Sequence, residues 1–179
     1  MTEPKPTIVV PLAAIEAELS NAAQFCLSRY AAAREAICQV IGAEDIEDVA
    51  VFHERYLPLL SSEIHRRLNG TSVYVNYDWS LSLTLRHNAG LKSVLIAYPD
   101  EAENTSFVYG LAVHHRCRRT WPSILMRYYA ARHLARCGYE FVSFQTLHDN
   151  TDAIRLARRA LKTSRIESLR NRRMFNDGE

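Results

Sequence analysis

The sequence predicts one domain of α/β class, built on a central mixed, mostly antiparallel sheet flanked by helices, with two further helices at the N-terminus. Three observations carry this. Apolar residues between 12 and 68 recur at steps of three and four, the period of a helix face. From Val73 the period falls to two, the period of a strand. The last stretch reads strand, helix, strand, helix, an order that demands a parallel pair joined by a right-handed crossover. The 179 residues suffice for a core without staples. With 47% hydrophobic and 23% charged residues the chain is not of the disordered class, and six Gly and six Pro exclude collagen-like and low-complexity readings. No linker or internal repeat divides residues 1–179. Residues 1–70 form a helical part, 71–161 the sheet-bearing core, and 162–179 a basic tail.

Residues 1–11, with Pro4, Pro6 and Pro11, read as an extended lead. Ile15, Leu19, Ala22, Cys26, Tyr30, Ala33, Ile37 and Ile41 place one helix from Leu12 to Ile41, closed by Gly42. A second runs from Asp45 to Leu68 on Val49, Phe52, Tyr56, Leu59, Leu60 and Ile64, with Pro58 a kink or break. Asn69-Gly70 is a turn. Val73–Asp78 and Ser80–Leu85 alternate as strands. Ser93–Tyr98 is a third strand and Thr105–Val113 a fourth. Trp121–Cys137 is a helix with Pro122 at its start, where proline is tolerated, and Gly138 caps it. Tyr139–Leu147 is the fifth strand. Asn150 caps a helix running to about Leu161.

The formal charge of +2 conceals an asymmetry. Residues 111–179 carry 14 Lys and Arg against 6 Asp and Glu, whereas residues 1–70 carry 6 against 10. The basic third is either a solvated face, a match for the acidic helices, or a site for a phosphate-bearing ligand or nucleic acid. No apolar run approaches the ~18 residues of a membrane span. No basic segment precedes the run Ile8–Ile15, so neither a signal peptide nor a membrane partner is expected, and the location expected is cytoplasmic. Cys26, Cys38, Cys117 and Cys137 are expected as reduced thiols. The first two, set on one helix, would stand ~18 Å apart, too far for a disulfide. The Ala-rich first helix offers either a homodimer surface or a cover for one sheet face.

The segment Phe107–Leu161 is the informative one. A strand, Phe107–Val113, runs into the basic loop His114–Thr120 and straight into a helix. The leading amides of a helix lack partners and carry partial positive charge, so an arginine-rich loop feeding them is a ready anion site. Arg116, Arg118 and Arg119 suit a diphosphate. Leu111-Ala112-Val113 ends the strand, and Arg118-Arg119-Thr120-Trp121-Pro122-Ser123 opens the helix. Asn150-Thr151-Asp152-Ala153-Ile154-Arg155-Leu156 follows the next strand. These resemble the Leu-x-Val, Arg/Gln-x-x-Gly-x-Gly/Ala and Asn-x-x-Ala-x-x-Leu elements of the GNAT superfamily of acyl-CoA-dependent N-acyltransferases. The resemblance covers residues 107–161 by motif, and the elements before them by order.

It implies a GNAT-like fold with acetyl-CoA or another acyl-CoA as co-substrate. The implied reaction moves an acyl group, acetyl first, to a primary amine of a small molecule, peptide or modified base. It implies that Leu111, Ala112, Val113, Arg118, Arg119, Thr120, Trp121, Ser123 and Asn150 bind the co-substrate. Four positions depart from the pattern. Trp121 and Ser123 stand where the family has glycines, Ala157 where many members carry a tyrosine that protonates the leaving thiolate, and Leu161 where a closing glycine is usual. These departures motivate two other readings: a catalytically reduced scaffold, or a nucleic-acid-associated modifying protein using its basic third.

A bulge near Gly110–Val113 would splay the strands and turn an N–H toward the thioester oxygen. A general base is needed, because the amine must arrive neutral. His148 and Asp149, at the end of the fifth strand, are the candidates, His148 having an ordinary pKa of ~6.5. Alternatively they only make the turn before Asn150. Tyr109 is a third candidate, as polar contact or acid, or else a sheet-packing aromatic. His114, His115 and Cys117 lack the fourth ligand of a structural zinc, so no metal site is expected.

Overall fold

The computed structural model describes residues 7–57, 79–145 and 152–162. Six strands form one sheet in the order β1-β6-β5-β4-β3-β2. They are β1 (Thr7–Pro11), β2 (Ile37–Val40), β3 (Leu83–His87), β4 (Gly90–Pro99), β5 (Thr105–Val113) and β6 (Phe141–Gln145). Only β5 and β6 are parallel, the pair that the strand–helix–strand order demanded; all other neighbours are antiparallel. The helices are α1 (Leu12–Arg29), α2 (Ala31–Glu35), α3 (Ile46–Tyr56), α4 (Trp121–Arg136) and α5 (residues 152–162).

β4 shows why the sheet is covered on both sides. Its buried residues alternate: Leu95 and Ala97 join the apolar cluster under α1 and α4, while Val94 and Ile96 join the one under α3. α3 supplies Val49 and Phe52 to the second cluster. α4 supplies Leu125, Met126, Ala130 and Leu134 to the first, and Ala157 and Ala160 add to it from α5. Among the described residues no helix is long and apolar enough to cross a membrane.

The structure corrects the N-terminal reading in three places. The expected lead is an edge strand: Thr7–Pro11 pairs antiparallel with β6, and the Leu12 N–H donates to the Glu140 carbonyl at 2.9 Å. Pro11 is tolerated because it closes an edge strand. The expected single helix to Ile41 stops at Arg29; Tyr30 takes extended angles, and after α2 the chain becomes β2. Alanine carried the helical period through residues 31–33, but Ile37 and Val40 find a ladder with β3, and that pairing prevails over the local pattern. Cys38 therefore stands on a strand, not on the helix of Cys26, and all four cysteines are thiols.

Smaller shifts follow from local chemistry. Gly42 opens a 3₁₀ turn, Ala43–Asp45, ahead of α3, and its N–H donates to Asp45 Oδ2 at 3.0 Å. α3 ends at Tyr56, and Leu57, the residue before Pro58, is barred from the helix by the proline ring. Residues 79–81 form a 3₁₀ turn, so β3 starts at Leu83 rather than Ser80. Gly138 takes φ +93° past the end of α4, as the glycine there foretold. The expected strand Val73–Asp78, the second half of the second helix and the tail lie outside the described residues.

Candidate active site

Among the described residues β5 pairs with β4 from Ser106 to Val113 but with β6 only from Thr105 to Val108. The parallel register runs from Thr105–Phe141 to Val108–Phe144, and from Tyr109 onward β5 continues beside β4. The divergence coincides with a bulge. Ile96 pairs with Gly110 and Ala97 with Val108, which leaves Tyr109 as the extra residue. A bulge bends its strand and re-aims a side chain. Val108 and Leu111 pack toward α4, whereas Tyr109 joins Ala112 on the α3 face.

The backbone beyond the bulge faces the gap. The His114 N–H donates to the Lys92 carbonyl at 3.0 Å, in register with the β4–β5 ladder. Antiparallel bonding alternates every second residue. The main chain of Ala112 is therefore turned to β4, and that of Leu111 and Val113 is turned away from it, to the side on which β6 lies.

A cavity of about 800 Å³ passes through this gap. Its α3 side is lined by Tyr56, Leu57 and Tyr109, and its opposite side by Arg118, Arg119, Ser123, Arg127, Asp152 and Leu156. Ser123, Arg127, Ala131 and Leu134 form one stripe of α4, at steps of four and three. The start of α4 is poor in available amides. Pro122 has none, the Ser123 N–H turns back to the Thr120 carbonyl at 3.1 Å, and the Thr120 N–H goes to Cys117 O at 3.2 Å. Positive charge comes from guanidinium groups instead. Arg119, at φ +60°, donates from Nε to Asp152 Oδ2 at 2.8 Å, and this bond chiefly holds the Asp152 carboxyl below its ordinary pKa. Arg127 makes no hydrogen bond or ion pair with any described residue. Burial pushes its pKa down, against the nearby charge of Asp152.

No family model matches the sequence, and no curated protein matches it. Solved structures do. A conserved protein of unknown function from Staphylococcus epidermidis ATCC 12228 superposes with TM-score 0.56 at 16% identity, over 84% of this chain and 54% of its own. A GCN5-related glucosamine N-acetyltransferase region of a fungal multi-domain GH3 β-N-acetylglucosaminidase gives 0.61 at 12%, over 80% of this chain and 18% of that one. An aminoglycoside N-acetyltransferase in complex with CoA gives 0.51 at 12%, over 70% and 86%. This chain has the GCN5-related N-acetyltransferase fold. At such identities the likeness is one of fold, and the chain spans about half of the first structure and under a fifth of the second.

Within this GNAT fold the residues singled out from the sequence separate. Tyr109, Leu111, Val113, Arg118, Arg119 and Ser123 all line the cavity. The bulge sits at Tyr109, one residue ahead of the expected Gly110–Val113. Ala112 is buried on the α3 face, and exposed Thr120 donates its hydroxyl to the Cys117 carbonyl at 2.9 Å; neither lines the cavity. Trp121 lies edge-on to His87, ring centroids 6.1 Å apart, and leaves the gap open. Ala157 is buried in the core, so the helix turn that carries a tyrosine in many GNAT proteins presents no hydroxyl here. His148, Asp149 and Asn150 lie outside the described residues. The sequence reading missed Arg127, although the signal was present: a lone arginine in a stripe of small and apolar residues. It also missed Tyr56 and Leu57, whose role depends on where α3 docks.

Proposed function

We propose that this chain transfers an acyl group, acetyl first, from acyl-CoA to a primary amine. The observation that carries the reading is the gap: a bulged strand leaves its parallel neighbour over a cavity of about 800 Å³ with three arginines in one wall. Those arginines suit the CoA diphosphate, with Arg118 and Arg119 at the loop and Arg127 on the helix behind them. The main-chain edge at Leu111 and Val113, turned away from β4, suits the amide groups of the pantetheine arm. Near the bulge an N–H aimed at the thioester oxygen would stabilise charge as it develops there.

In the reaction the amine nitrogen bonds to the acyl carbon, the carbon–sulfur bond breaks, the nitrogen loses a proton and the thiolate gains one. His148, with Asp149 beside it, is the proposed base. Tyr109, in the cavity at the bulge, is the proposed acid, a role that Ala157 cannot fill. The test combines binding and turnover. Millimolar CoA is expected to raise the melting temperature, and acetyl-CoA with a panel of primary amines to release free thiol. An unmoved melting temperature would reject the reading.

A second reading, a catalytically reduced scaffold, is favoured by the amide-poor start of α4 and by Ala157. Turnover that disappears in His148→Ala or Arg118→Gln would reject it.

A further inference from the structure

The cavity reaches a second region of distinct chemistry on the α3 side. Tyr56, which lines it, has its ring centroid 4.9 Å from that of His114 and 6.0 Å from that of His115, and the two imidazoles stack at 4.5 Å and 23°. The Arg55 guanidinium lies 5.7 Å from the Tyr56 ring centroid. The Arg116 N–H donates to His114 Nδ1 at 3.3 Å, and Lys92 holds the His114 main chain from β4. Among the described residues Arg55, Lys92 and Arg116 have no carboxylate partner. Burial, followed by the charges of His115, Lys92, Arg116 and Arg55, holds the His114 pKa below its ordinary value, and each of those neighbours is cationic when charged. Cations with no described carboxylate partner attract anions and repel polycations, and the rings beside them offer a flat contact surface.

We propose that the acceptor amine is carried by an anionic molecule, whose carboxylate or phosphate docks on Arg55 and Arg116 beside the Tyr56–His114–His115 stack while its amine enters the gap. The proposal rests on the acyl-transfer reading and adds a substrate class to it. A polycationic acceptor would meet like charge here, and like-charge juxtaposition is an effective means of rejection.

Matched amines that differ only in the anion test this. Phosphoethanolamine is compared with ethanolamine, and β-alanine with its carboxamide, each with acetyl-CoA, by thiol release. The anionic member of at least one pair is expected to show at least a tenfold higher kcat/KM, and the better pair tells phosphate from carboxylate. In the double variant Arg55→Gln, Arg116→Gln the ratio falls toward one. Equal or reversed ratios in both pairs overturn the proposal. A readout without donor separates it from the wider reading. The imidazole NMR signals of His114 and His115 are titrated with the same four amines; they shift with the amine that bears the anionic group and not with the twin that lacks it. If CoA fails to bind but these signals shift, the acyl-transfer reading falls and the anion site stands. If neither anionic amine moves them, the anion site falls.

Discussion

His53 makes the stability of this protein depend on mild acid. The side chain is 0% exposed on α3, and among the described residues neither ring nitrogen has a hydrogen-bond partner. Burial alone pushes its pKa down from an ordinary ~6.5 to about 4. The native state thus holds the neutral ring, while the unfolded chain takes up a proton below about pH 6.5. The stability this ring permits is present in full above that pH and is lost as pH falls toward 4. At about 1.4 kcal/mol per pKa unit the shift amounts to about 3 kcal/mol, most of it gone by pH 4.5. Urea unfolding at a series of pH values between 7.5 and 4.5 reads this directly, with His53→Leu as control. The wild type is expected to lose about 2–3 kcal/mol more than the variant over that range. Parallel pH curves for the two would refute the argument, because the proton uptake would then belong elsewhere. The consequence reaches the site, since Tyr56 stands one turn beyond His53 on the same helix.

Three further outcomes follow from the charged groups. Asp45 is 3% exposed, and although burial opposes its ionisation, the Gly42 N–H and the Arg86 guanidinium at 2.7 Å hold its carboxyl below the ordinary range. Asp45→Asn is expected to cost about 3 kcal/mol in a urea titration, by leaving Arg86 underpaired. Arg127→Leu removes a desolvated cation that makes no hydrogen bond or ion pair with a described residue, so the melting temperature should hold or rise while the calorimetric Kd for CoA weakens at least ~10-fold, about 1.4 kcal/mol. Asp152→Asn frees Arg119, and because that pair is exposed, stability should move by under ~1 kcal/mol while CoA binds several-fold tighter in the same titration.

What the sequence disclosed was local, and what it concealed was distant. Thr105–Val113 and the helix from Trp121 were legible because each is bounded by its own signals, and the arginine loop lies between them. The strand at Thr7–Pro11 was not, because its partner Phe141–Gln145 lies 130 to 138 residues further along the chain and nothing within residues 1–11 announces the pairing. Ile37–Val40 was hidden by the alanines before it, which extend a helical period past the point where the helix ends. The same division runs through the site. Residues contributed by β5 and its loop were found by motif. Tyr56 and the cations around His114 come together only when α3 docks on β5.

The departures at Trp121 and Ser123, with Pro122 between them, determine how a diphosphate can be held here. Two glycines at this loop would bring main-chain amides to the anion, and amides bind by short, directed hydrogen bonds. Here Pro122 has no amide, the Ser123 N–H is spent on Thr120, and the positive wall consists of Arg118, Arg119 and Arg127. Arg119 is 78% exposed, so its contribution is open to screening; Arg127 is the better shielded of the two. Binding that rests on exposed charge weakens as the Debye length shrinks from ~10 Å at 0.1 M salt to ~3 Å at 1 M. CoA affinity is therefore expected to fall steeply across that range in the wild type. In Arg119→Gln it should start weaker and fall less, and in Arg127→Leu it should start weaker and fall almost as steeply. Calorimetric titrations at several salt concentrations measure both slopes. A wild-type affinity indifferent to salt would show that directed main-chain bonds hold the diphosphate after all, and that the guanidinium wall serves something else.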